Sequence, residues 1–526
     1  MEPKEILKFC LEQGLLVDKD VLGLFSESSD TDSVKLIIER IKNQTQQKII
    51  TKELFIKNSE KVQQVFSSLP KEHQKNLNLQ SLKVKLGLSI EISKEVVSSK
   101  PLEQAEKEFL ILNDEPKVKV VSVSPTQTAK IGVEEFVKHF RNRYTDLKNI
   151  IQERPELKNL TSINKIYGER QGVSIIGMVA DKRVTKNKNL ILEVEDLTGR
   201  IKVLINYNKK ELYEKAEEIC MDSVIGFSGS GNNEILFANS IVFPDTVLAE
   251  KKNSPVEEYA VFISDLQYGS KRFFIRSFEK FIDYLNGKVP NTPESLKIKY
   301  LIIGGDLITG VGNYPGQEKD LEIVDLEEQN IKIAGLLKQI RKDIKIIIGP
   351  GNHEGVRLME PQPIFDEKYA WPLYEMDNVI LIENPCVVNI GAKRNFSGFN
   401  ILYYHGFSYR YYANNVSRLL KSKAMNSPEE IIKYLLRNRH LAPTHNSVQS
   451  FPHDKDVHLI RTAPDIVFSG HIHKSAVSYY NNILIICGSS WEGKTPYQEK
   501  FGNTQDFCKV PLLNLKTRAI KILDFE

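Results

Sequence analysis

The sequence predicts a multidomain chain of the α+β class, with a small helical region first, a β-barrel in the middle and an α/β domain last. With 526 residues the chain is too long for one hydrophobic core. Apolar residues follow helical spacing before residue 70, alternate as in strands after residue 170, and form strand–helix alternations from Tyr259 onward. The predicted domains are a helical N-terminal domain, a flexible linker, a helix plus barrel, and the α/β domain, at residues 1–70, 71–130, 131–250 and 255–526.

Composition excludes several classes of protein. Hydrophobic residues make up 41% of the chain and charged residues 27%, as in ordinary soluble proteins. No apolar run approaches eighteen residues and the first five residues lack the apolar core of a signal peptide, so we expect a cytoplasmic protein without membrane contact. The five cysteines show no CxxC spacing, which argues against a zinc ribbon or a disulfide framework. A net charge of +4 gives no chain-wide footprint for nucleic acid.

The N-terminal region and the linker carry little chemistry. Apolar residues at Ile6, Leu7, Cys10 and Leu11 predict one helix that stops near Gly14, and Val34, Ile37, Ile38 and Ile41 predict a second. We expect a self-contained helical bundle, with a surface for a partner as the alternative. Residues 71–130 lose this periodicity and collect Lys, Ser, Glu, Gln and Pro, which favours a plain linker over a segment that docks on another molecule.

The middle region has the element order of an OB-fold barrel. Strand alternation occurs at 173–179, 190–194 and 201–205, a short helix follows at 209–218, and two more strands are expected at 223–227 and 234–237. Basic residues crowd one loop between Lys182 and Lys188, but no aromatic ladder accompanies them. Binding of single-stranded nucleic acid and a purely structural or docking role therefore both remain open.

Four polar clusters in the last domain each follow a buried-strand pattern. They are Asp265-Leu266-Gln267, Gly304-Gly305-Asp306, Gly351-Asn352-His353-Glu354 and Ser469-Gly470-His471-Ile472-His473. Polar residues at the end of a buried strand lie where α/β folds carry their chemistry, and four such ends in one sheet would bring these side chains together. Oxygen and imidazole donors in this mixture suit a pair of Mn²⁺, Fe or Zn²⁺ ions.

Each candidate residue can be given a role in a two-metal site. Asp306 is central and serves as the bridging carboxylate, and His353 is a general acid or a stabiliser of phosphoryl charge. The other ligands divide between the two ions: Asp265 and His473 for the first, and Asn352, His405 and His471 for the second.

The order of these motifs resembles the calcineurin-like metallophosphoesterase superfamily. Its pattern runs Asp-x-His, Gly-Asp, Gly-Asn-His, His, and Gly-His-x-His. This chain departs from the pattern at Gln267, where the superfamily has histidine. A glutamine oxygen still approaches a hard ion, but it is a poorer donor than imidazole for transition metals. We therefore expect the first ion to bind about 10- to 100-fold more weakly.

Longer stretches narrow the resemblance. The segments 304–317, 350–363, 439–443 and 488–498 are similar to the small subunits of archaeal family D DNA polymerases, relatives of the eukaryotic polymerase B subunits. The resemblance implies a 3′→5′ exonuclease that proofreads the DNA primer 3′ end for a large catalytic subunit, in a heterodimer or heterotetramer. It also implies two divalent ions, with Mn²⁺ as the expected working ion and Zn²⁺, Fe or Mg²⁺ as alternatives. Contact with a sliding clamp stays open.

The sequence leaves open the roles of two possible substrate contacts and the choice between two functions. Arg357 either positions a phosphate or pairs with Glu360, and Lys494 either contacts substrate or belongs to a structural loop. An active exonuclease agrees with the retained ligands, whereas a non-catalytic assembly subunit agrees with Gln267. A freestanding phosphatase conflicts with the barrel and with the long family-specific stretches.

Overall fold

The computed structural model describes residues 3–18, 21–22, 38, 49–50, 116–122, 131–499 and 504–526. The chain divides into two compact units, one formed by residues 1–95 with 520–522, the other by residues 96–519 with 523–526. Within the described ranges, no helix combines the length and the apolar character that a membrane crossing requires.

The described part of the first unit includes a helix and a pair of short strands. Helix α1 spans Pro3–Glu12, and strands β1 (Leu16–Val17) and β2 (Ile49–Ile50) pair in parallel. These strands were not expected from the sequence. The second predicted helix falls outside the described residues except for Ile38, so the helical bundle stays a prediction.

The second unit holds a barrel, two sheets and their helices. Its strands are β3 (Val118–Val120), β4 (Arg170–Val184), β5 (Leu190–Glu195), β6 (Arg200–Ile205), β7 (Val224–Gly231), β8 (Ile235–Val242), β9 (Tyr259–Ile263), β10 (Ile298–Gly304), β11 (Lys345–Gly349), β12 (Val379–Leu381), β13 (Cys386–Ile390), β14 (Phe399–Tyr403), β15 (Ile466–Ser469), β16 (Ala476–Tyr480), β17 (Ile483–Cys487) and β18 (Lys509–Asn514). The last strand, β19 (Ile520–Asp524), has residues assigned to each unit. The helices of the second unit are α2 (Val133–Ile151), α3 (Lys210–Glu217), α4 (Ile275–Leu285), α5 (Leu326–Leu337), α6 (Glu367–Tyr374), α7 (Tyr409–Asn415), α8 (Ser417–Lys421), α9 (Pro428–Asn438) and α10 (Pro496–Glu499). Single 3₁₀ turns occur at Ile163–Lys165, Pro293–Lys297, Gln317–Lys319, Ala424–Asn426 and His445–Ser447.

Strands β4 to β8 form a closed barrel in the order β4-β5-β6-β8-β7. The chain crosses from β6 to β7 through α3, and the only parallel pairing in the barrel joins β6 to β8. Inward-facing residues such as Leu192, Val203 and Phe227 are fully buried. The strands and the helix lie where the apolar alternation predicts them, because each barrel strand buries one face and exposes the other.

Two further sheets carry the predicted polar clusters. The first contains β12-β11-β10-β9-β18, in which β9 to β12 are parallel. The second has the order β16-β17-β15-β14-β13-β3, in which β14, β15 and β17 are parallel. The two sheets touch where the rings of Phe262 and Phe468 meet edge to face at 5.1 Å. Gly304 and Gly349 end strands of the first sheet where a Cβ atom would collide with Phe468 and Tyr403 of the second.

The sheet arrangement differs from the sequence-based expectation in two respects. The four motif-bearing strands do not share one sheet: β9, β10 and β11 lie in the first, and β15 lies in the second. Their apolar runs show that all are buried but cannot show which strand pairs with which. Strand β3 lies inside the segment predicted as a linker and pairs antiparallel with β13.

Candidate metal centre

The loops that follow these strands hold their polar residues in an uncommon backbone conformation. Five of the predicted ligands have positive φ angles: Asp265 (52°), Gln267 (56°), Asp306 (52°), His471 (70°) and His473 (58°). Such conformations cost free energy in residues other than glycine and concentrate at functional sites. Backbone bonds hold the first three, because Asp265 N–H donates to the carbonyl of Gly305 and Gln267 N–H donates to that of Asp306, both at 2.9 Å.

Asp265, Asp306 and His473 form one compact ligand group. One donor atom from each lies within 4.8 Å of the other two, and all three residues are buried. The Oδ1 atom of Asp265 is 3.4 Å from Nε2 of His473. The backbone N–H of His471 donates to the Asp265 carboxylate at 3.0 and 3.1 Å, which fixes the carboxylate against the loop after β15.

Asn352, His405 and His471 form a second group close to Asp306. The Oδ1 atom of Asn352 lies 3.1 Å from His405 Nε2 and 2.8 Å from His471 Nδ1. His405 Nδ1 donates to the carbonyl of Gly304 at 3.0 Å, since a carbonyl can only accept. This bond places a proton on Nδ1, so Nε2, which lies 3.5 Å from Asp306 Oδ1, is the atom that would ligate an ion after losing its own proton.

His353 is a partly exposed imidazole of the centre, with a side chain that is 16% exposed. Its Nδ1 lies 2.6 Å from the carbonyl of Thr309, so this nitrogen carries a proton and donates it. Its Nε2 is turned toward Asp306 Oδ2 at 3.7 Å. The arrangement presents Nε2 to the centre without making His353 a member of either ligand group.

Gln267 occupies the position where the superfamily pattern has histidine. Its side chain is buried, and Nε2 donates to Asp306 Oδ2 at 2.9 Å. Its Oε1 is also buried and has no hydrogen-bond partner among the described residues. The amide therefore lies directly against the carboxylate that the two groups share.

Opposite charges shift several pKa values in the centre. Burial opposes ionisation of Asp306, but the imidazoles of His353 and His405 hold its pKa below the usual range. Burial also opposes the charged form of His405, yet Asp306 raises the pKa of that ring to about 10. Burial and the neighbouring His405 lower the pKa of His471, whereas Asp265 outweighs burial and raises the pKa of His473. Burial and the close packing of charged groups together account for these shifts.

Glycines make this close packing possible. A Cβ atom on Gly351 would collide with Asp306 Oδ1, and one on Gly470 would lie 2.7 Å from Asp265 Oδ2. Because neither residue has a side chain, the loops after β11 and β15 can lie directly on the two carboxylates.

Glu354 is a residue of the centre for which the sequence suggested no role. Its Oε1 accepts the backbone N–H of Leu307 at 2.5 Å, and its Oε2 accepts that of Gly351 at 2.6 Å. It thereby joins the loop after Asp306 to the loop that carries Asn352. Burial, followed by the charge of Asp306, raises the pKa of Glu354 to about 8. The sequence signal that could have pointed to Glu354 is its place two residues after the predicted ligand Asn352.

The two predicted substrate contacts lie outside the ligand groups. Arg357 is exposed, donates to the carbonyl of Pro361 at 3.0 Å and lies over the ring of Phe451 at 4.8 Å. Glu360 instead contacts His458 Nε2 at 2.6 Å, so the alternative of an Arg357–Glu360 ion pair is not the observed contact. Lys494 is partly buried, and its carbonyl accepts from Arg272 Nε at 3.2 Å. Their roles toward substrate stay predictions.

The donor set fits divalent metal ions. Carboxylate, amide and imidazole atoms converge from two sheets, and the unpartnered Gln267 Oε1 is an additional acceptor beside them. Clustered buried carboxylates repel one another unless protons or cations compensate their charge. The residues present therefore suit cations such as Mn²⁺ or Mg²⁺ at the first group and ions that accept imidazole at the second.

Comparison with known proteins identifies the family of the chain. The family of the B subunits of DNA polymerases alpha and epsilon matches residues 260–478. The DNA polymerase II small subunit of Pyrococcus abyssi is 36% identical over 437 residues, which are 80% of this chain and 68% of that protein. The corresponding subunit of Methanothermobacter thermautotrophicus is 35% identical over 395 residues, 74% of this chain and 79% of that protein. The chain belongs to the archaeal DNA polymerase II small subunit family.

Membership of this family confirms the resemblance drawn from the motif-bearing stretches. The alignment with the Pyrococcus furiosus small subunit, at 36% identity, covers 75% of this chain but only 64% of that relative's length. Among solved structures, an archaeal phosphodiesterase aligns at 11% identity with a TM-score of 0.25, over 50% of this chain and 98% of that one. That likeness is too weak to support any statement about this member of the small-subunit family.

Proposed function

We propose that the chain is the 3′→5′ exonuclease of a family D DNA polymerase and hydrolyses phosphodiesters from the 3′ end of the primer. The observation that carries the proposal is the convergence of two ligand groups on Asp306. Asp265, Asp306 and His473 would hold one divalent ion, and Asp306, Asn352, His405 and His471 the other. Such ions would activate water and neutralise charge on the phosphoryl oxygens, and Mn²⁺ is the ion we expect.

The chain's own residues would supply orientation and proton transfer. His353 donates through Nδ1 to the carbonyl of Thr309, so its ring is held with Nε2 toward Asp306. From this position it would donate a proton to the departing 3′ oxygen or a hydrogen bond to the phosphoryl group. Arg357 is an exposed residue five positions after Asn352 in the chain, and the N–H groups that it does not donate to Pro361 would bind a phosphate.

The proposal includes partners. The names of the relatives describe them as small subunits of a polymerase, which supports a large catalytic subunit as partner of this chain. We further propose that the barrel is an OB-fold, since its order β4-β5-β6-β8-β7 has α3 between the third and fourth strands. In a polymerase subunit, such a barrel serves either to dock the partner or to guide single-stranded primer toward the centre.

One observation favours a second candidate, a non-catalytic assembly subunit. Gln267 uses its N–H group on Asp306, and a hydrogen-bonded carboxylate oxygen is less available to an ion. Against this candidate stand six intact ligands: a site free of selection for chemistry would be expected to lose several of them.

The test measures release of nucleotides from a labelled primer 3′ end by the complex with the large subunit, without deoxynucleotides and with added Mn²⁺. Asp306→Asn and His473→Ala should each lower the rate at least about 100-fold, since ions contribute several kcal/mol to such reactions. The exposed Asp377→Asn substitution is the matched control and should leave the rate unchanged.

Two results would contradict the exonuclease function. Absence of nucleotide release by the natural protein, with release gained in Gln267→His, would favour the assembly subunit. Equal release by the natural protein and by the Asp306→Asn variant would show that the activity comes from elsewhere. Chelation of divalent ions should abolish release and readdition of Mn²⁺ should restore it.

A further inference from the structure

We propose that Gln267 ligates the first metal position through its side-chain oxygen, and that it makes this position favour Mn²⁺ or Mg²⁺ over Zn²⁺. The inference rests on the proposed two-metal function and adds a metal preference to it. It assigns a role to the one residue at which the chain departs from the superfamily pattern.

The side-chain amide of Gln267 lies against Asp306. Gln267 is 1% exposed, and its Nε2 lies 2.9 Å from Asp306 Oδ2. Its backbone N–H donates to the carbonyl of Asp306 at 2.9 Å, so main chain and side chain are both anchored on the same residue. Asp306 in turn belongs to the group with Asp265 and His473. The end of the Gln267 side chain therefore borders the first metal position.

The side-chain oxygen of Gln267 lacks a hydrogen-bond partner among the described residues. This atom, Oε1, is buried, and the lack of a partner is unfavourable for a polar atom removed from water. The terminal torsion of glutamine is broad and nearly two-fold, so the amide can turn and exchange its oxygen with its nitrogen. A cation beside Asp306 would drive this turn, because a cation is bound by the oxygen of an amide and repelled by its N–H groups.

The distance between the Gln267 amide and Asp306 Oδ2 suits two ligands of one ion. After such a turn, Oε1 would take the place of Nε2, 2.9 Å from Asp306 Oδ2. Two neighbouring ligands of an octahedral ion with bonds of about 2.0–2.1 Å also lie about 2.9 Å apart. Two oxygen acceptors repel each other at this distance unless a cation lies between them. The present spacing thus suits a hydrogen bond in one amide orientation and a shared cation in the other.

The metal preference follows from the donors. With Gln267, the first position has three oxygen ligands and one imidazole, from Asp265, Asp306, Gln267 and His473. The second has two of each, from Asp306, Asn352, His405 and His471. Oxygen donors suit Mg²⁺ and Mn²⁺, whereas imidazole suits Zn²⁺. The two positions are therefore unequal, and Gln267 is the residue that makes the first one harder.

The experiment is equilibrium binding of MnCl₂ alone and of ZnCl₂ alone to the purified protein, without DNA. Gln267→His should raise the affinity of the first position for Zn²⁺ about 10- to 100-fold, and that for Mn²⁺ much less. Gln267→Leu removes the oxygen at similar size and should weaken the first Mn²⁺ about 10- to 100-fold while leaving the second in place. The exposed Gln339→His substitution controls for an added imidazole and should behave like the natural protein. Electron spin-echo spectroscopy of bound Mn²⁺ should detect one more nitrogen ligand in Gln267→His.

The inference is overturned if Gln267→Leu binds its first Mn²⁺ as tightly as the natural protein, since Gln267 would then only donate to Asp306. It is also overturned if Gln267→His shifts the ratio of Zn²⁺ to Mn²⁺ affinity no more than Gln339→His does. The second comparison decides alone should the Leu variant not fold. A shifted ratio without nucleotide release would refute the exonuclease and support the ligand role, and nucleotide release with an unshifted ratio would do the reverse.

Discussion

Arg143 donates its Nε–H to Asp456 Oδ2 at 2.6 Å, in a place where both side chains are buried. The same guanidinium donates to the carbonyl of Pro443 at 2.8 Å. Asp456 also contacts the ring of His440 at 2.9 Å. Helix α2, which carries Arg143, is thereby joined to the α/β domain by a buried charge network. Removing one partner of such a network leaves a charge without compensation inside the protein.

The Arg143→Met variant should accordingly lose about 3–5 kcal/mol of unfolding free energy, because the buried Asp456 would lose its guanidinium partner. Chemical denaturation at neutral pH measures the loss. Arg141 lies on the exposed side of the same helix, and Arg141→Met should change stability by no more than about 0.5 kcal/mol. Equal losses in both variants would show that the buried pair contributes nothing specific.

A pH-dependent contribution to stability should come from His458. Burial alone would lower the pKa of this ring, but the nearby carboxylate of Asp456 and the hydrogen bond to Glu360 at 2.6 Å raise it to about 9. Since this value lies above the unfolded value of about 6.5, the contribution is complete below pH 6.5 and disappears as pH rises through 9. Its full size is of the order of 3 kcal/mol.

The difference in unfolding free energy between the natural protein and His458→Gln should therefore be largest near pH 6 and shrink toward pH 9. Burial lowers the pKa of the neighbouring His440 to about 3, so that ring favours neutrality and stability falls as it is protonated in acid. This effect is common to both proteins and largely cancels in their difference. A difference that stays constant with pH would contradict a charged His458 in the folded state.

Glu354 should act by positioning the two ligand loops. Glu354→Gln can accept only one of the two N–H groups that Leu307 and Gly351 donate, since its –NH₂ group cannot accept. We expect a stability loss of about 1–3 kcal/mol and weaker binding of the ion held by Asn352, measured by denaturation and by Mn²⁺ titration. Glu318→Gln, on an exposed turn, is the matched control. A variant that loses stability but binds both ions normally would restrict Glu354 to a structural role.

Trp491 should stabilise the loop that contains Lys494 by filling the core. Its side chain is fully buried, and its ring meets those of Phe278 and Phe281 at 5.3 and 5.4 Å. Trp491→Ala should reduce the unfolding free energy by about 3–5 kcal/mol through the cavity it creates. Trp491→Phe should be milder, because the indole N–H has no partner in the described part of the chain. Similar losses in both variants would point to a hidden partner for that N–H group.

Much of the centre could be predicted from the chain alone because its signals are local. Strands β9, β10, β11 and β15 are apolar runs, and the residues after them include Asp265, Asp306, Asn352 and His471. The strand–helix alternation predicted from Tyr259 onward is present, with helix α4 between β9 and β10 and helix α5 between β10 and β11. Residue types that suit metal ions can be recognised at predicted strand ends without coordinates. The stretches that identify the family can be recognised in the same way.

The tertiary structure alone decided how those pieces meet. An apolar run in the sequence does not reveal which strands it pairs with. The division into two sheets and the pairing of β3 with β13 therefore required coordinates. Gln267 and Asp306 are 39 residues apart in the chain, and Arg143 and Asp456 are 313 apart. Hydrogen bonds over such separations depend on packing of distant segments, which leaves no periodic signal in the sequence. The sequence therefore determined the donors, and the fold determined that an amide faces the shared carboxylate.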